Sequence, residues 1–191
     1  MEKIFDIIAP VYENFHFNAQ KTFNNIESII SFQPSDKILD LGGGTGTIAK
    51  FFMNKVQNIT VVDSSDKMVK QCRLLHPKVS CIYADAQNLP IGDGIINKII
   101  IVDAFHHFQN QEQVVKEVKR VLAKNGKVII EEFNPTKITG RLVAIMENIF
   151  LRMGSIFHSP ESLADLFSSN FFKVQVFDTG KRVYYITAEK I

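Results

Sequence analysis

A glycine-rich turn is the first segment of this chain of 191 residues whose composition and spacing suggest chemistry. Residues 38–47 read ILDLGGGTGT and join a β-rich run to a helix-like one. Glycine permits the positive φ angles of a sharp turn and lets the backbone approach a ligand closely. The helix start that follows would offer free N–H groups and a partial positive charge. The segment Asp40–Gly46 therefore predicts a site for a nucleotide-like ligand.

Acidic residues end the next three β-rich runs. Asp63, Asp85 and Asp103 close the segments VVD, YAD and IVD. Because the carboxyl ends of parallel strands meet at one edge of a sheet, we expect these carboxylates to face the same ligand. A carboxylate at Asp63 could accept hydrogen bonds from both ribose hydroxyls. Such residues also cap helices, so the ordered set supports the prediction more strongly than any single member.

The glycine spacing distinguishes two classes of cofactor. A dinucleotide fingerprint needs G-x-G-x-x-G, and Thr47 occupies the position of its last glycine. The pattern that fits is Asp-x-Gly-x-Gly-x-Gly, formed by Asp40, Gly42, Gly44 and Gly46. It resembles motif I of class I S-adenosylmethionine-dependent methyltransferases. A carboxylate suits a ligand that carries an ammonium and a sulfonium, and it is unfavourable beside a pyrophosphate.

Other segments extend this resemblance to the type 11, or UbiE-like, branch of the family. Residues 84–90 (ADAQNLP) are similar to an acidic motif that would place Asp85 on the adenine amino group and the Ala86 amide against the ring. Residues 5–12 resemble an N-terminal F-D-x-x-A-x-x-Y signature that would place Tyr12 over the cofactor. Glu13 replaces the Asp that ends this signature in the family.

Two later segments match in the same order. Residues 101–108 (IVDAFHHF) resemble the stretch that leads from the cofactor to the substrate. Residues 120–128 (RVLAKNGKV) resemble the stretch before the fifth strand, with Asn125 in place of a glycine. The branch includes enzymes that methylate quinone precursors, but it is chemically diverse.

The resemblance implies S-adenosylmethionine as cofactor and S-adenosylhomocysteine as product. It implies methyl transfer to a small, partly hydrophobic acceptor through an undetermined O, C or N atom. Met68 either covers the adenine or packs in the core. The predicted cofactor-binding residues are Tyr12, Asp40, Gly42, Gly43, Gly44, Gly46, Asp63, Ser64, Met68, Asp85, Ala86 and Asp103.

Two adjacent histidines are the candidate catalytic residues. His106 and His107 follow the fourth β-rich run, and an imidazole can accept a proton near neutral pH. His107 is favoured because it lies closer to the next helix start; alternatively, one ring packs and the other only binds the loop. His16 and His158 could line the acceptor pocket. No spacing of Cys, His and carboxylate residues indicates a metal.

The elements that must position these residues follow from two alternating periodicities. Continuous apolar runs are typical of strands buried on both faces, and they occur at 37–42, 58–63, 79–85, 96–103 and 126–133. Helices are predicted at 47–54, at 65–75 with Ser64 or Ser65 as cap, and at 111–124 with Gly126 just after its end. Another helix is predicted near 160–168, before two antiparallel strands at 171–178 and 182–189.

Together these elements predict an α/β fold, a Rossmann-like doubly wound sheet flanked by helices. The family resemblance implies seven strands in the order 3-2-1-4-5-7-6, with the last strand antiparallel. One domain is expected over 1–191. Its parts are an N-terminal helical cap at 1–34, a cofactor-binding core at 35–133, a lid insertion at 134–158, and a C-terminal helix with antiparallel strands at 159–191.

The segment 134–158 allows three interpretations. Its apolar face could pack against the core, cover a substrate pocket as a lid, or lie on a membrane surface. The residues of this face are Leu142, Ile145, Met146, Ile149, Phe150 and Met153.

The bulk composition sets limits on location and partners. The chain is 46% hydrophobic and 22% charged, as in ordinary globular proteins, and its net charge of +2 comes from scattered residues. We therefore expect a small-molecule substrate and no nucleic-acid partner. No apolar run is long enough for a membrane span, acids interrupt the first apolar residues, and a cytoplasmic location is expected. Cys72 and Cys81 are expected to be free thiols, and the oligomeric state stays open.

Two alternative functions use the same turn. A nicotinamide-dependent oxidoreductase is disfavoured by Thr47, by Asp40 and by the lack of a Tyr-x-x-x-Lys pair after the fourth run. A non-catalytic S-adenosylmethionine-binding regulator would keep all the cofactor motifs, so the motifs do not separate it from an enzyme.

Overall fold

The computed structural model describes residues 19–150 and 154–191, which form one seven-stranded sheet with helices on both faces. The strand order is β3-β2-β1-β4-β5-β7-β6. The strands are β1 (Lys37–Leu41), β2 (Asn58–Asp63), β3 (Ser80–Tyr83), β4 (Ile96–Val102), β5 (Leu122–Phe133), β6 (Phe172–Asp178) and β7 (Val183–Lys190). The helices are α1 (Ala19–Ile29), α2 (Asp66–Leu75), α3 (Gln111–Val121), α4 (Ile138–Ile145) and α5 (Pro160–Ser169).

Strand directions confirm the predicted fold class. β7 runs antiparallel to both β5 and β6, and the remaining neighbours are parallel. The predictions for Tyr12, His16, Met153 and the side chain of Phe150 lie outside what the structure describes. No helix in the described part of the chain is long and apolar enough to cross a membrane.

The central strands are buried on both faces, which explains their continuous apolar sequence. Leu39 of β1 and Ile99 to Ile101 of β4 are fully buried. One apolar layer packs α3 and α5 against the sheet, and the opposite layer packs α1 and α2. Helices of the described part of the chain therefore cover both faces of the sheet.

The strand order reverses between β1 and β4, and this reversal positions the site. From β1 the chain moves outward through β2 to β3, and it then returns to pair β4 with the other side of β1. Crossovers on either side diverge at this point, so a crevice opens beyond the carboxyl ends of β1 and β4.

Two predicted helices differ from the structure. The segment 47–54 contains only a short 3-10 turn, Ala49–Phe52. The helix predicted to reach residue 124 ends at Val121, because Leu122 already pairs with Ile96 as the start of β5. Asn125, not Gly126, has the positive φ of 60°. Gly126 is needed for space, since a Cβ there would lie 2.8 Å from a backbone oxygen.

The expectation of free thiols is wrong. Cys72 of α2 and Cys81 of β3 form a disulfide, with Cα atoms 6.2 Å apart. Both residues are buried in the layer that packs α2 against the sheet. Sequence spacing did not reveal this pair because α2 must first fold back along β3 to bring the two side chains together.

The apolar face of the segment 134–158 is exposed. α4 continues into a π-helical turn at Met146–Phe150, and Leu142, Ile145, Met146 and Ile149 are between 46% and 65% exposed. The interpretation in which these four residues pack against the core is therefore wrong.

Removing the disulfide should destabilise the fold. The bridge closes a loop of sequence separation 9, and a loop of this length is worth about 3 kcal/mol in the chain-entropy model. We expect the double variant C72A/C81A to lose about that much free energy of unfolding in equilibrium urea titrations. Reductant should lower the stability of the unmodified chain and leave the double variant unchanged. Equal urea midpoints for the oxidised and reduced chain would contradict the prediction.

Candidate active site

An open cleft lies at the predicted edge of the sheet. It encloses roughly 990 Å³, counted out to its mouth, and is built from the ends of β1 to β4 and the turns after them. Its lining residues are Leu41, Gly42, Gly44, Val62, Asp63, Ser64, Ser65, Met68, Ala84, Asp85, Ala86, Gln87, Asp103, Ala104, His107, Phe108, Gln109 and Val114. Eight of these residues are polar or charged, eight are apolar and two are glycine, so the cleft suits a ligand that has both polar and apolar parts.

The glycine-rich turn forms one wall of the cleft. Gly42 and Gly44 have φ angles of 73° and 55°, which side chains other than glycine rarely adopt. The Gly42 N–H donates to the Val62 carbonyl at 2.8 Å, and a Cβ at Gly42 would lie only 2.7 Å from the Cβ of Ala104. At Gly42 the turn is therefore pressed against both neighbouring strand ends and has no room for a side chain.

Asp63 connects this turn to the start of α2. Its Oδ2 accepts the Gly44 N–H at 2.9 Å, and its Oδ1 accepts the Ser65 N–H at 2.8 Å. Asp63 also lines the cleft, so a ligand there can approach its carboxylate. Ser65, rather than Ser64, caps α2 by accepting the Met68 N–H.

Asp40 lies away from the cleft, contrary to a direct contact with the cofactor. It is 1% exposed, and its carboxyl packs so closely on Gly43 that a Cβ there would lie 2.6 Å from Cγ. Burial raises the pKa of Asp40 to about 7, with a further increase from the Asp63 carboxylate. Gly43 and Gly46 do not line the cleft either.

The third and fourth strands add the opposite wall. The Asp85 carboxylate lies at the cleft and accepts the Gln87 N–H at 2.8 Å, while Met68 and Ala86 provide apolar surface. Asp103 has a φ of 48°, which bends the chain away from β4 and turns this residue toward the cleft. Burial, followed by the nearby carboxylates of Glu131 and Glu132, raises the pKa of Asp103 well above its ordinary value.

The two candidate histidines have different environments. His106 is 1% exposed, does not line the cleft, and donates through Nδ1 to Glu132 Oε2 at 2.6 Å. Burial opposes its charge, but the Glu132 carboxylate raises the pKa of His106 to about 10. His107 lines the cleft; burial and the charge of His106 lower its pKa to about 3, so it stays neutral. Only His107 is placed to meet a substrate.

His158 does not line the cleft. Its ring nitrogens are hydrogen-bonded to Gln111 Oε1 at 2.6 Å and to Ser162 Oγ at 2.8 Å. Its side chain thus connects α3 to α5.

Comparison with known proteins agrees with this geometry. Residues 39–130 match the type 11 family described as a methyltransferase domain. The demethylmenaquinone methyltransferase of Thermotoga maritima is 28% identical over 197 residues, which cover 99% of this chain and 82% of that protein. The chain belongs to the class I S-adenosylmethionine-dependent methyltransferases, in the UbiE-like branch.

Two further proteins are similar to this chain. The ubiquinone/menaquinone biosynthesis C-methyltransferase UbiE of Geotalea daltonii is 22% identical, with 94% of this chain and 87% of that protein covered. A crystal structure from Thermotoga maritima, described as a S-adenosylmethionine-dependent methyltransferase and possible histamine N-methyltransferase, has a TM-score of 0.83. It is 20% identical, and each chain is covered completely, so it shows the shared fold.

The cleft of this methyltransferase fits S-adenosylmethionine, and the nicotinamide alternative is wrong. A side chain at Gly42 or Gly43 would clash with its neighbours, and the Asp63 carboxylate lies beside this turn at the cleft, where ribose hydroxyls could reach it. Met68 and Val114 give apolar surface for an adenine, and Asp85 can accept its amino group. The buried Oδ1 of Asp103 has no hydrogen-bond partner among residues 19–150 and 154–191, so this atom can form a hydrogen bond with a ligand.

Sequence reasoning missed several residues of the methyltransferase site. Glu132 follows another acid inside an apolar strand, and that pair of buried carboxylates was a readable signal. Glu147 and Ser155 had no local signal, because they reach His107 only through the fold.

Replacing Asp63 should weaken cofactor binding. We expect D63A to raise the Kd for S-adenosylmethionine at least tenfold by calorimetry, because both the ribose acceptor and the support of the turn are lost. D66A is the matched control. Asp66 lies three residues later, at the start of α2, and pairs with exposed Lys70. Equal affinity of D63A and D66A would refute this assignment of the pocket.

Asp40 should make stability depend on pH. The folded carboxyl holds its proton up to about pH 7, while the unfolded one releases it near its ordinary value of 3.8. The free energy of unfolding therefore falls as pH rises between these values. We expect the neutral variant D40N to gain stability over the unmodified chain from pH 4 to pH 7, measured by urea unfolding of cofactor-free protein. A stability difference that is constant over this range would contradict it.

Proposed function

We propose that this methyltransferase transfers the cofactor's methyl group to a small aromatic acceptor with an ionisable hydroxyl, of the hydroquinone class. The observation that carries the proposal is the composition of the cleft wall after β4. There Ala104, Phe108 and Val114 provide apolar surface, while neutral His107 and buried Asp103 supply the polar groups. The names of the relatives from Thermotoga maritima and Geotalea daltonii, which refer to quinone biosynthesis, support the same class.

The segment 134–158 is proposed to close the acceptor end of the cleft. Ser155 is hydrogen-bonded through Oγ to His107 Nδ1 at 3.1 Å, so this segment contacts a residue of the cleft wall. Its apolar face, including Leu142 and Ile149, is exposed. An apolar surface on a segment that contacts the cleft wall suits an acceptor with a hydrophobic substituent.

Methyl transfer requires position more than covalent help from the protein. The bound cofactor supplies a methyl carbon activated by its sulfonium. The chain's residues orient the acceptor in line with that carbon and exclude water. His107 is uncharged and accessible from the cleft, so it can hold the acceptor's hydroxyl at the reacting position. His106 remains buried behind it as a positioning residue.

His107 should affect turnover and not cofactor affinity. We expect H107A to lower the rate of S-adenosylhomocysteine formation about a hundredfold, because the acceptor's hydroxyl loses the group that holds it at the reacting position. The Kd for S-adenosylmethionine should change less than threefold. H158Q is the control, because His158 lies outside the cleft. Full turnover in H107A would remove His107 from the proposed mechanism.

The acceptor class is tested by comparing two nucleophiles in separate incubations. The chain is incubated with S-adenosylmethionine and either 1,4-naphthohydroquinone or histamine, and products are identified by their mass. We expect one added methyl group on the hydroquinone and none on histamine. Methylation of histamine alone would contradict the proposed class. Cofactor binding without any S-adenosylhomocysteine, even with pooled cell extract, would favour the non-catalytic alternative.

A cytoplasmic location and the lack of a nucleic-acid partner stay predictions. The scattered charges and the net charge of +2 support the second. The disulfide between Cys72 and Cys81 bears on the first, because disulfides are rare in cytosolic proteins. Trapping thiols in intact cells before lysis would show which state the two cysteines have there.

A further inference from the structure

Three side chains that can bind a metal ion come together where His107 lines the cleft. They are His106 and His107, which follow β4, and Glu147, in the turn that continues α4. One ring nitrogen of each histidine and one carboxylate oxygen of Glu147 all lie within 4.8 Å of one another. We propose that these residues form a binding site for one divalent transition-metal ion.

The distances leave space for an ion. Glu147 Oε2 lies 3.5 Å from His106 Nε2 and 4.0 Å from His107 Nδ1. Ligand bonds of about 2.0 to 2.1 Å in a tetrahedral zinc site place neighbouring ligand atoms roughly 3.4 Å apart. The three atoms are therefore near the separation that a shared ion requires, and small side-chain shifts would complete it.

His106 is oriented in the way that metal-bound histidines usually are. Its Nδ1 donates to Glu132 Oε2 at 2.6 Å, and the other oxygen of Glu132 accepts the Phe105 N–H at 2.9 Å. A carboxylate on the far ring nitrogen fixes the ring and increases the basicity of the ligand nitrogen. The near nitrogen, Nε2, is buried and has no hydrogen-bond partner in the described part of the chain. A metal ion that displaces the Nε2 proton to water would bind to this nitrogen and to the Glu147 carboxylate 3.5 Å away.

Ser155 holds the other two ligands in place. Its hydroxyl donates to Glu147 Oε2 at 2.8 Å and is hydrogen-bonded to His107 Nδ1 at 3.1 Å. Asn148 fixes Ser155 in turn, through hydrogen bonds to its N–H at 2.6 Å and its carbonyl at 2.9 Å. Metal binding would use the Nδ1 lone pair of His107 and leave Ser155 donating to Glu147 alone.

The ligand set indicates the class of metal. Two imidazoles and one carboxylate suit Zn²⁺, Co²⁺ or Fe²⁺, whereas Mg²⁺ and Ca²⁺ prefer oxygen ligands. Three protein ligands leave at least one coordination position open, as in catalytic zinc sites. The carboxylates of Glu147 and Glu132 would balance the charge of the ion.

A role in methyl transfer rests on the proposed function. Because His107 lines the cleft, an ion bound to it would lie at the cleft wall. A hydroxyl of the acceptor, bound at the open position, would lose its proton to water, as metals lower the pKa of bound O–H groups. The acceptor's electron pair then forms the bond to the methyl carbon. The electron pair of the broken S–C bond returns to sulfur and leaves neutral S-adenosylhomocysteine.

Metal binding can be tested without cofactor or acceptor. The full chain is dialysed against EDTA and titrated with Zn²⁺ by calorimetry and with Co²⁺ by visible absorption. We expect one ion per chain and a Co²⁺ spectrum with the intense bands of a low-coordinate nitrogen and oxygen site. E147Q and H107A should each weaken Zn²⁺ binding about tenfold or more. H158Q, a histidine variant outside the cluster, should retain full affinity.

Thermal unfolding shows whether each variant is folded and whether Zn²⁺ stabilises it. Zn²⁺ should raise the Tm of the unmodified chain and of H158Q, and it should not raise the Tm of E147Q. If H107A does not fold, E147Q alone decides, since glutamine keeps the shape of the side chain. Absence of stoichiometric binding, or equal Zn²⁺ affinity in the unmodified chain and E147Q, would overturn the metal site. Neither result touches the proposed methyl transfer, which is measured with different ligands.

Discussion

Pairing between β1 and β4 is the constraint on which the remaining structure depends. These two strands lie side by side in the middle of the sheet but are separated in the chain by β2, β3 and their connections. Because the connections leave to opposite sides, neither covers the carboxyl ends of the pair. The glycine-rich turn follows one of these ends and the His106–His107 turn follows the other, so both turns contribute to the wall of one crevice.

A buried polar network lies beneath that crevice and joins it to α1. Glu131 of β5 accepts hydrogen bonds from the hydroxyls of Tyr185 and Thr22, and Asn25 donates to the Tyr185 hydroxyl at 2.9 Å. Burial raises the pKa of Glu131, while its hydrogen bonds act in the opposite direction. The same strand places Glu132 on His106. β5 therefore orients His106 through Glu132 and anchors α1 on the sheet through Glu131.

Local patterns predicted the sheet well, because each strand depends on a short segment. Continuous apolar runs marked the strands, and Asp63 ends β2 as expected, whereas Asp85 lies two residues beyond the end of β3. The sequence predicted less well those features that depend on contacts between residues far apart in the chain. Pairing of Leu122 with Ile96 ends α3 early, and packing of α2 on β3 creates the disulfide. His106 and His107 are adjacent in sequence, yet the fold raises the pKa of His106 and lowers the pKa of His107.

The hydrogen bond between Ser155 and His107 has a consequence for how such an enzyme can diversify. The lining residues of the cleft lie between Leu41 and Val114, whereas Glu147 and Ser155, which contact His107, come from the later segment 134–158. Mutations in that segment can therefore change the surroundings of His107 without altering the glycine-rich turn or Asp63. A fold arranged in this way can exchange one methyl acceptor for another by changing a single segment, while its capacity to hold the methyl donor is inherited intact.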